Sequence, residues 1–345
     1  MVAARLACVL SLGLLSAAAL AQTDPPSAPD GPVAAQPAGE LPAAQVLVSG
    51  KRPGPGLWKV SKDGHVMWVV GMLAPLPSKM EWDDGRVDRL IGQSQEVLAP
   101  PSAGVGIGWR SGFKALVALP SLVGVQKNPD GARLHDVLPA DVYARWSVLK
   151  QKYIGEDDGV ERYRPFFAAQ ELAEAGLKKT GLSGGIEVRK QIEGIAKKRG
   201  VKLTQTGFMI DLDDPGRVLK EFKKSQMEDT ACFTRTLERF EGDIDAMRVR
   251  ANAWANGNIA EIGKLDYAER DDACNNAILS SPAAKNHPAF QNLLERRRDA
   301  WLKAAEQSLA NNASTVAMLS MSDILGPKSY LAALQAKGYT VESPK

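Results

Sequence analysis

Residues 57–77 read LWKVSKDGHVMWVVGMLAPLP, and this stretch decides the fold. Its first half alternates, with Leu57, Lys59 and Ser61 interleaved with Trp58 and Val60; after Asp63-Gly64 a second apolar run extends from Val66 to Leu73. Two strand-like runs joined by Asp-Gly predict a β-hairpin, because a tight hairpin turn needs residues that tolerate positive φ. Val66-Met67-Trp68-Val69-Val70 is apolar at every position, the pattern of a strand inside a sheet and covered on both faces. Gly71 closes that run, and Pro75-Leu76-Pro77 makes a rigid exit at the carboxyl end of the strand, where open α/β sheets place their sites.

The far end of the chain supplies a matching piece. Ser314 to Leu319 is a second buried-strand pattern, followed by Ser320-Met321-Ser322-Asp323, by Ile324-Leu325-Gly326-Pro327 and by a final Gly338-Tyr339-Thr340-Val341. A Leu-Trp-Lys-Val strand, a tight turn, a buried strand and Gly-x-x-x-Pro-Leu-Pro, closed by that terminal piece, resembles the TraB/GumN family, which includes the Tiki-type metalloproteases. The resemblance spans roughly residues 56 to 342 and is strongest at the two ends. It implies an α/β (mixed α+β) fold, with a central sheet built from the N- and C-terminal segments and a large α-helical insertion.

The resemblance also implies a site. Family members carry Gly-x-x-His at both strand ends, and the resemblance implies that the histidines bind a divalent metal for the hydrolysis of peptides. Here the first motif reads Gly71-Met72-Leu73-Ala74, and the second has Ser320 in place of glycine and Asp323 in place of histidine. The family's acidic residue after the first helix falls near Ala99 or Pro100, neither of which can bind a metal. The family's Arg-Asn-Arg corresponds to Arg296-Arg297-Arg298, so Arg296 is implied to face the pocket. The family positions are therefore Gly71, Ala74, Ser320, Asp323 and Arg296, with no retained catalytic group and no metal ligand set expected, and with no cofactor.

Composition fits this reading. With 44% hydrophobic and 24% charged residues in 345, the chain can build one large or two modest cores. A formal charge of +3 falls to +2 without Arg5, the only charged residue before position 22, which argues against nucleic acid as a partner. Residues 1–21 read as a cleavable signal peptide: Arg5, an apolar core from Leu6 to Leu15, and Ala19-Leu20-Ala21 as the cleavage site. That core is too short to span a bilayer, so the mature chain is expected in the periplasm or secreted, with no transmembrane segment. Residues 22–56, rich in Pro, Ala and Gly, read as a flexible linker, with a short edge strand at Val46 to Val48. Residues 57–345 form the family-like domain.

Signal cleavage leaves Cys232 and Cys274. In an oxidising compartment a disulfide is the simplest use of the pair, against buried free thiols or a catalytic thiol. Closing a loop of about 43 residues would constrain the unfolded chain by roughly 4 kcal/mol in the chain-entropy view.

Between the two ends the pattern is helical. Trp82 to Gln95 is expected to form a helix, and Glu96 to Ala99 a strand. Residues 111–125 are apolar but broken by Pro120 and Gly124, so a short buried helix or lid competes with an exposed interaction surface. The helical insertion covers about 138–310, with helices over Ala140 to Tyr153, Glu161 to Lys178, Ile186 to Arg199 and Ala289 to Ala310, and one opened by Asp213-Asp214-Pro215. Val201 to Gly207 reads as a strand. Phe233, Leu237, Phe240, Ile244, Met247, Ala251 and Trp254 recur every three or four residues and predict one long helix with a core-packing stripe.

The remaining chemistry is sparse. His65, His135 and His287 show no ligand spacing and read as surface or capping residues. Gly104-x-Gly106-x-Gly108 lacks the dinucleotide spacing, and no Gly-x-Ser-x-Gly occurs. Asp323 either coordinates a hard cation or caps the helix beginning near Pro327. The functional expectation is a non-catalytic relative that binds a peptide, glycan or protein partner in the cell envelope. Two alternatives stand beside it: a metal-dependent hydrolase with a site rebuilt around Asp323 and Arg296, and a structural envelope protein docking through residues 111–125.

Overall fold

The computed structural model describes residues 54–106, 123–212, 214–225, 227–242, 244–264 and 268–344. The signal segment, residues 22–53 of the linker with Val46 to Val48, and residues 107–122, which include 111–122 of the apolar stretch, lie outside the described residues.

The predicted hairpin is present. β1 (Leu57–Lys62) and β2 (His65–Met72) pair antiparallel, and Asp63 and Gly64 between them have φ of 51° and 86°. Beyond them come β3 (Leu76–Pro77), β4 (Glu96–Leu98), β5 (Ala103–Gly106), β6 (Leu182–Ser183), β7 (Lys202–Thr204), β8 (Phe208–Asp211), β9 (Ser314–Ser320) and β10 (Thr340–Glu342). Six of these form the central sheet in the order β10-β1-β2-β9-β4-β7. β2, β9, β4 and β7 run parallel, while β1 and β10 add an antiparallel edge. Strands from both chain ends therefore lie side by side, with Met72 paired to Ser320. The fold is mixed α+β, as the sequence pattern predicts.

The interior strands behave as parallel strands do, with apolar side chains on both faces. Met67 and Val69 on one face of β2 and Val70 on the other are fully buried, while Val66 and Trp68 are only half-covered. Val316 to Leu319 in β9 is buried throughout. Helices Ile186–Arg199 and Leu293–Asn311 cover the sheet through Val188, Ile192, Trp301, Leu302 and Ala305.

Several helix limits follow local chemistry rather than the wider apolar pattern. The first helix occupies only Gly85–Gly92, after Asp83 Oδ1 accepts from the amide of Gly85 at 3.0 Å. Trp82 is left outside it and its indole donates to Gln191 at 3.0 Å. The helix expected from Glu161 begins at Pro165, a residue preset for the first helical position, with a short 3₁₀ turn at Gly159–Arg162 before it. The last long helix starts at Leu293, because Asn292 takes a left-handed φ of 52° after a 3₁₀ turn at Pro288–Phe290. Residues 54–56, the end of the expected linker, are buried, and the Gly54 amide donates to Ala255 at 3.0 Å.

The long stripe from Phe233 to Trp254 is helical over Thr230–Gly242 and Ile244–Ala255, with residue 243 outside the described residues. Phe233, Leu237 and Phe240 pack into an all-helical core with Leu134, Trp146, Leu149 and Leu172. Ala251 and Trp254 belong instead to the core of the sheet. One sequence stripe thus serves two cores. Cys232 and Cys274 form a disulfide joining Thr230–Gly242 to the helix Ala268–Leu279.

One buried carboxylate holds the sheet to its covering helix. Glu96 in β4 accepts from the Thr204 hydroxyl and from Lys202 Nζ at 2.9 Å on β7, from Ser308 at 2.7 Å and from Asn312 at 3.0 Å. Burial alone would push its carboxyl up, but hydrogen bonds from Thr204, Lys202 and Ser308 outweigh burial and hold it below the ordinary glutamate value of 4.5. The native state therefore favours the charged form, and its stabilisation is complete above pH 4.5 and is lost as pH falls through the lower native value. We expect Glu96→Gln, which cannot accept at all four positions, to cost about 2 kcal/mol at neutral pH. Urea titrations of the two proteins should converge on acidification. A gap that stays constant from pH 7 to the acid transition would refute this role.

Candidate functional site

The parallel strands β2, β9, β4 and β7 all end on the same edge of the sheet, and Gly71, Ala74, Ser320 and Asp323 lie at those strand ends. Gly71 is the second-to-last residue of β2. A side chain at this position would come within 2.5 Å of Met321 Sδ and 2.7 Å of the Trp58 ring, so only glycine allows the helix Met321–Leu325 to sit against the strand. Its carbonyl accepts from the Trp254 indole at 2.6 Å. Ala74, two residues beyond β2, is exposed and abuts Gly185, at the start of helix Ile186–Arg199. Ala99 and Pro100 extend β4, and both carbonyls accept from the Thr206 hydroxyl at 3.1 Å.

Ser320 and Asp323 form one reciprocal unit. Ser320 is the N-cap of Met321–Leu325: its Oγ accepts from the Asp323 amide at 3.0 Å and donates to the Asp323 carboxylate at 2.6 Å. Ser320 thus caps the helix, and the aspartate at the third helical position accepts from the Ser320 hydroxyl rather than from its amide. Asp323 therefore sits inside a helix capped by Ser320 and does not cap one near Pro327; the later helix, Tyr330–Ala336, is capped by Ser329. Ser322 adds a 2.8 Å contact to Ser320.

Arg296 is engaged by Phe208 and Ala289 and has no contact with Asp323 among the described residues. Its guanidinium lies over the Phe208 ring at 4.6 Å and donates to the Ala289 carbonyl at 2.7 Å. The arginine that reaches Asp323 is Arg297, at 3.4 Å. Arg298 comes next, 6.0 Å from the Tyr330 ring and 3.4 Å from the Ser329 carbonyl. Trp301, one turn on, packs edge-on to Tyr330 at 5.6 Å. Burial pushes the Tyr330 hydroxyl above its ordinary value and the Asp323 charge adds to this, while Arg297 and Arg298 oppose it. Helical spacing carried the missed signal: Arg297 and Arg298 lie four and three residues before the fully buried Trp301, on its side of the helix, whereas Arg296 does not.

The residues present do not fit the divalent metal implied for the family. A catalytic metal needs about three convergent protein donors. The family positions offer the methyl of Ala74, the apolar Ala99 and Pro100, and Asp323, whose oxygens already serve Ser320 and Arg297. Among the described residues, no group of three or more His, Cys, Asp or Glu side chains could hold an ion. Residues 107–122, which follow β5, contain none of those four residue types. The histidines serve elsewhere. His65, at the amino end of β2, bonds the Asn312 carbonyl at 2.8 Å, His135 meets Asp136 at 2.9 Å, and His287 Nδ1 accepts from the Ala289 amide at 3.2 Å.

Among the described residues no helix is long and apolar enough to cross a membrane. No curated protein and no solved structure matches the chain. The sequence model of the TraB/PrgY/gumN family matches residues 56–343, from the residue before β1 to the residue after β10, and the chain belongs to that family.

Proposed function

We propose that this chain is an exported, non-catalytic member of the family, which keeps the scaffold and uses its strand-end edge to bind a peptide, glycan or protein partner in the cell envelope. The observation that carries this reading is the commitment of Asp323. The one carboxylate at the motif positions is shared between Ser320 and Arg297, and the opposite motif position presents a methyl group. Hydrolysis through a bound metal ion needs an open coordination position on an ion held by several donors, and these side chains supply no such set. The N-terminal leader pattern and the Cys232–Cys274 disulfide support export, since disulfides persist outside the reducing cytosol.

Elemental analysis of protein purified without chelator tests the proposal. The expected result is substoichiometric manganese, cobalt and zinc, with no peptide cleavage that a chelator changes. Stoichiometric metal, or cleavage that a chelator abolishes, would overturn it.

A further inference from the structure

The helix Leu293–Asn311 carries more buried hydrogen-bond donors than the described residues satisfy. Arg297 Nε, Arg298 Nε and Trp301 Nε1 are all buried, and none has an acceptor among the described residues. Trp301 is wholly enclosed, so its N–H cannot turn to solvent. Buried donors are nearly always paired, because an unmade bond forfeits the hydration the group gave up. Three such donors on one helical face, all around Tyr330, mark a place short of acceptors. Charge points the same way. Arg297 meets one carboxylate, Asp323, at 3.4 Å, long for a charge-assisted bond, while the neighbouring Arg298 has no carboxylate partner among the described residues and reaches the Ser329 carbonyl at 3.4 Å. Both arginine Nε atoms are buried, while the Arg297 side chain as a whole remains 33% exposed and so meets solvent.

We infer that Arg297 and Arg298, beside Tyr330, form a binding site for a ligand carboxylate, and that Asp323 is the internal stand-in for it. A planar fork of N–H donors matches a carboxylate bidentately, and arginine suits that recognition better than lysine. Such a group is offered by the C-terminus of a peptide or by a uronic acid in a glycan. This inference rests on the binding reading above and names the chemistry of the ligand. It fails separately from that reading: metal analysis does not depend on carboxylate affinity, and a metal-free chain can prove unable to bind anions.

The test is isothermal titration of the purified chain with two carboxylates, N-acetyl-alanyl-alanine and glucuronate, against the amide of the first and against glucose. Asp323→Asn keeps an acceptor for Ser320 while removing the charge that competes for Arg297. Removal of one partly exposed competing ion pair should tighten carboxylate binding about threefold. Arg297→Met and Arg298→Met should each weaken it at least about tenfold, and Arg297→Met should cancel the gain in the Asp323→Asn background. The probe with the lower Kd identifies the source of the carboxylate. The inference is overturned if neither probe binds the parent or Asp323→Asn, if the neutral controls bind equally, if either arginine variant leaves affinity unchanged, or if Asp323→Asn brings no gain. Circular dichroism of each variant establishes that it is folded before titration.

Discussion

Trp254→Ala should be among the most destabilising single substitutions in the chain, costing about 4 kcal/mol or more. Two losses combine at this residue. The indole is fully buried in the sheet core and packs edge-on to Trp82 at 5.8 Å, so truncation opens a cavity in the space between sheet and helices. It also donates to the carbonyl of Gly71 at 2.6 Å, and that carbonyl would be left in an apolar setting without its partner. Large aromatic truncations cost roughly 3–5 kcal/mol, and an orphaned buried acceptor roughly 1–3 kcal/mol. Trp254→Phe separates the terms, since it keeps most of the ring and loses the donor; its cost should be about half as large or less. Urea unfolding read by fluorescence and circular dichroism measures both. A loss below about 1 kcal/mol for Trp254→Ala would show that the helix does not anchor the sheet through this residue.

Trp254 also shows where periodicity stops being informative. Seven apolar residues from Phe233 onward repeat at helical spacing, and that repeat identifies a buried face correctly at both ends. It carries no information about which neighbours cover the face. The first half of the stripe faces other helices and the second half faces the sheet, and only tertiary packing decides that division. The hairpin was legible because its evidence is local: alternation, an Asp-Gly turn and an unbroken apolar run each constrain the same few residues. The pairing of β2 with β9, about 250 residues apart in sequence, came from the family resemblance, because no local pattern encodes a partner strand.

The site was half legible for a similar reason. Ser320 and Asp323 lie three residues apart at a strand end, which is enough to read a helix cap, although the capping residue is Ser320 and its helix starts six residues earlier than Pro327. The arginines required a choice of helical face. Counting back from Trp301 selects Arg297 and Arg298, and matching residues in order to a family triplet selects Arg296. Burial of Trp301 decides in favour of the first. Tyr330 had no sequence signal as a site residue, since its position depends on how the last helix folds back onto Leu293–Asn311.

Arg164→Met should cost about 3 kcal/mol at neutral pH and visibly less under mild acid. Arg164 is 2% exposed and donates to four main-chain carbonyls: Lys127 at 3.1 Å, Phe222 at 3.0 Å, Lys223 at 2.7 Å and Ser225 at 2.8 Å. Three of these close the helix Pro215–Lys224, where exposed carbonyls and the helix dipole both favour a cation. Methionine fills similar space and bonds to none of them. The nearby Asp229, itself buried, supplies the pH dependence. Burial raises its carboxyl above the ordinary value of 3.8, against the amide of Phe166 at 2.8 Å and the Arg164 charge, which both lower it. A raised native value means that Asp229 favours folding when protonated and opposes it as pH climbs through that value. Without Arg164 the native value rises further, so the penalty at neutral pH grows while the protonated form at low pH is spared. Asp229→Asn keeps the acceptor for Phe166 and removes the charge, and should recover part of the stability lost by Arg164→Met at pH 7. Chemical denaturation of both single variants and the double variant at two pH values completes the cycle. If Asp229→Asn fails to rescue, and the loss from Arg164→Met is the same at both pH values, Arg164 acts on the helix carbonyls alone and carries no electrostatic link to Asp229.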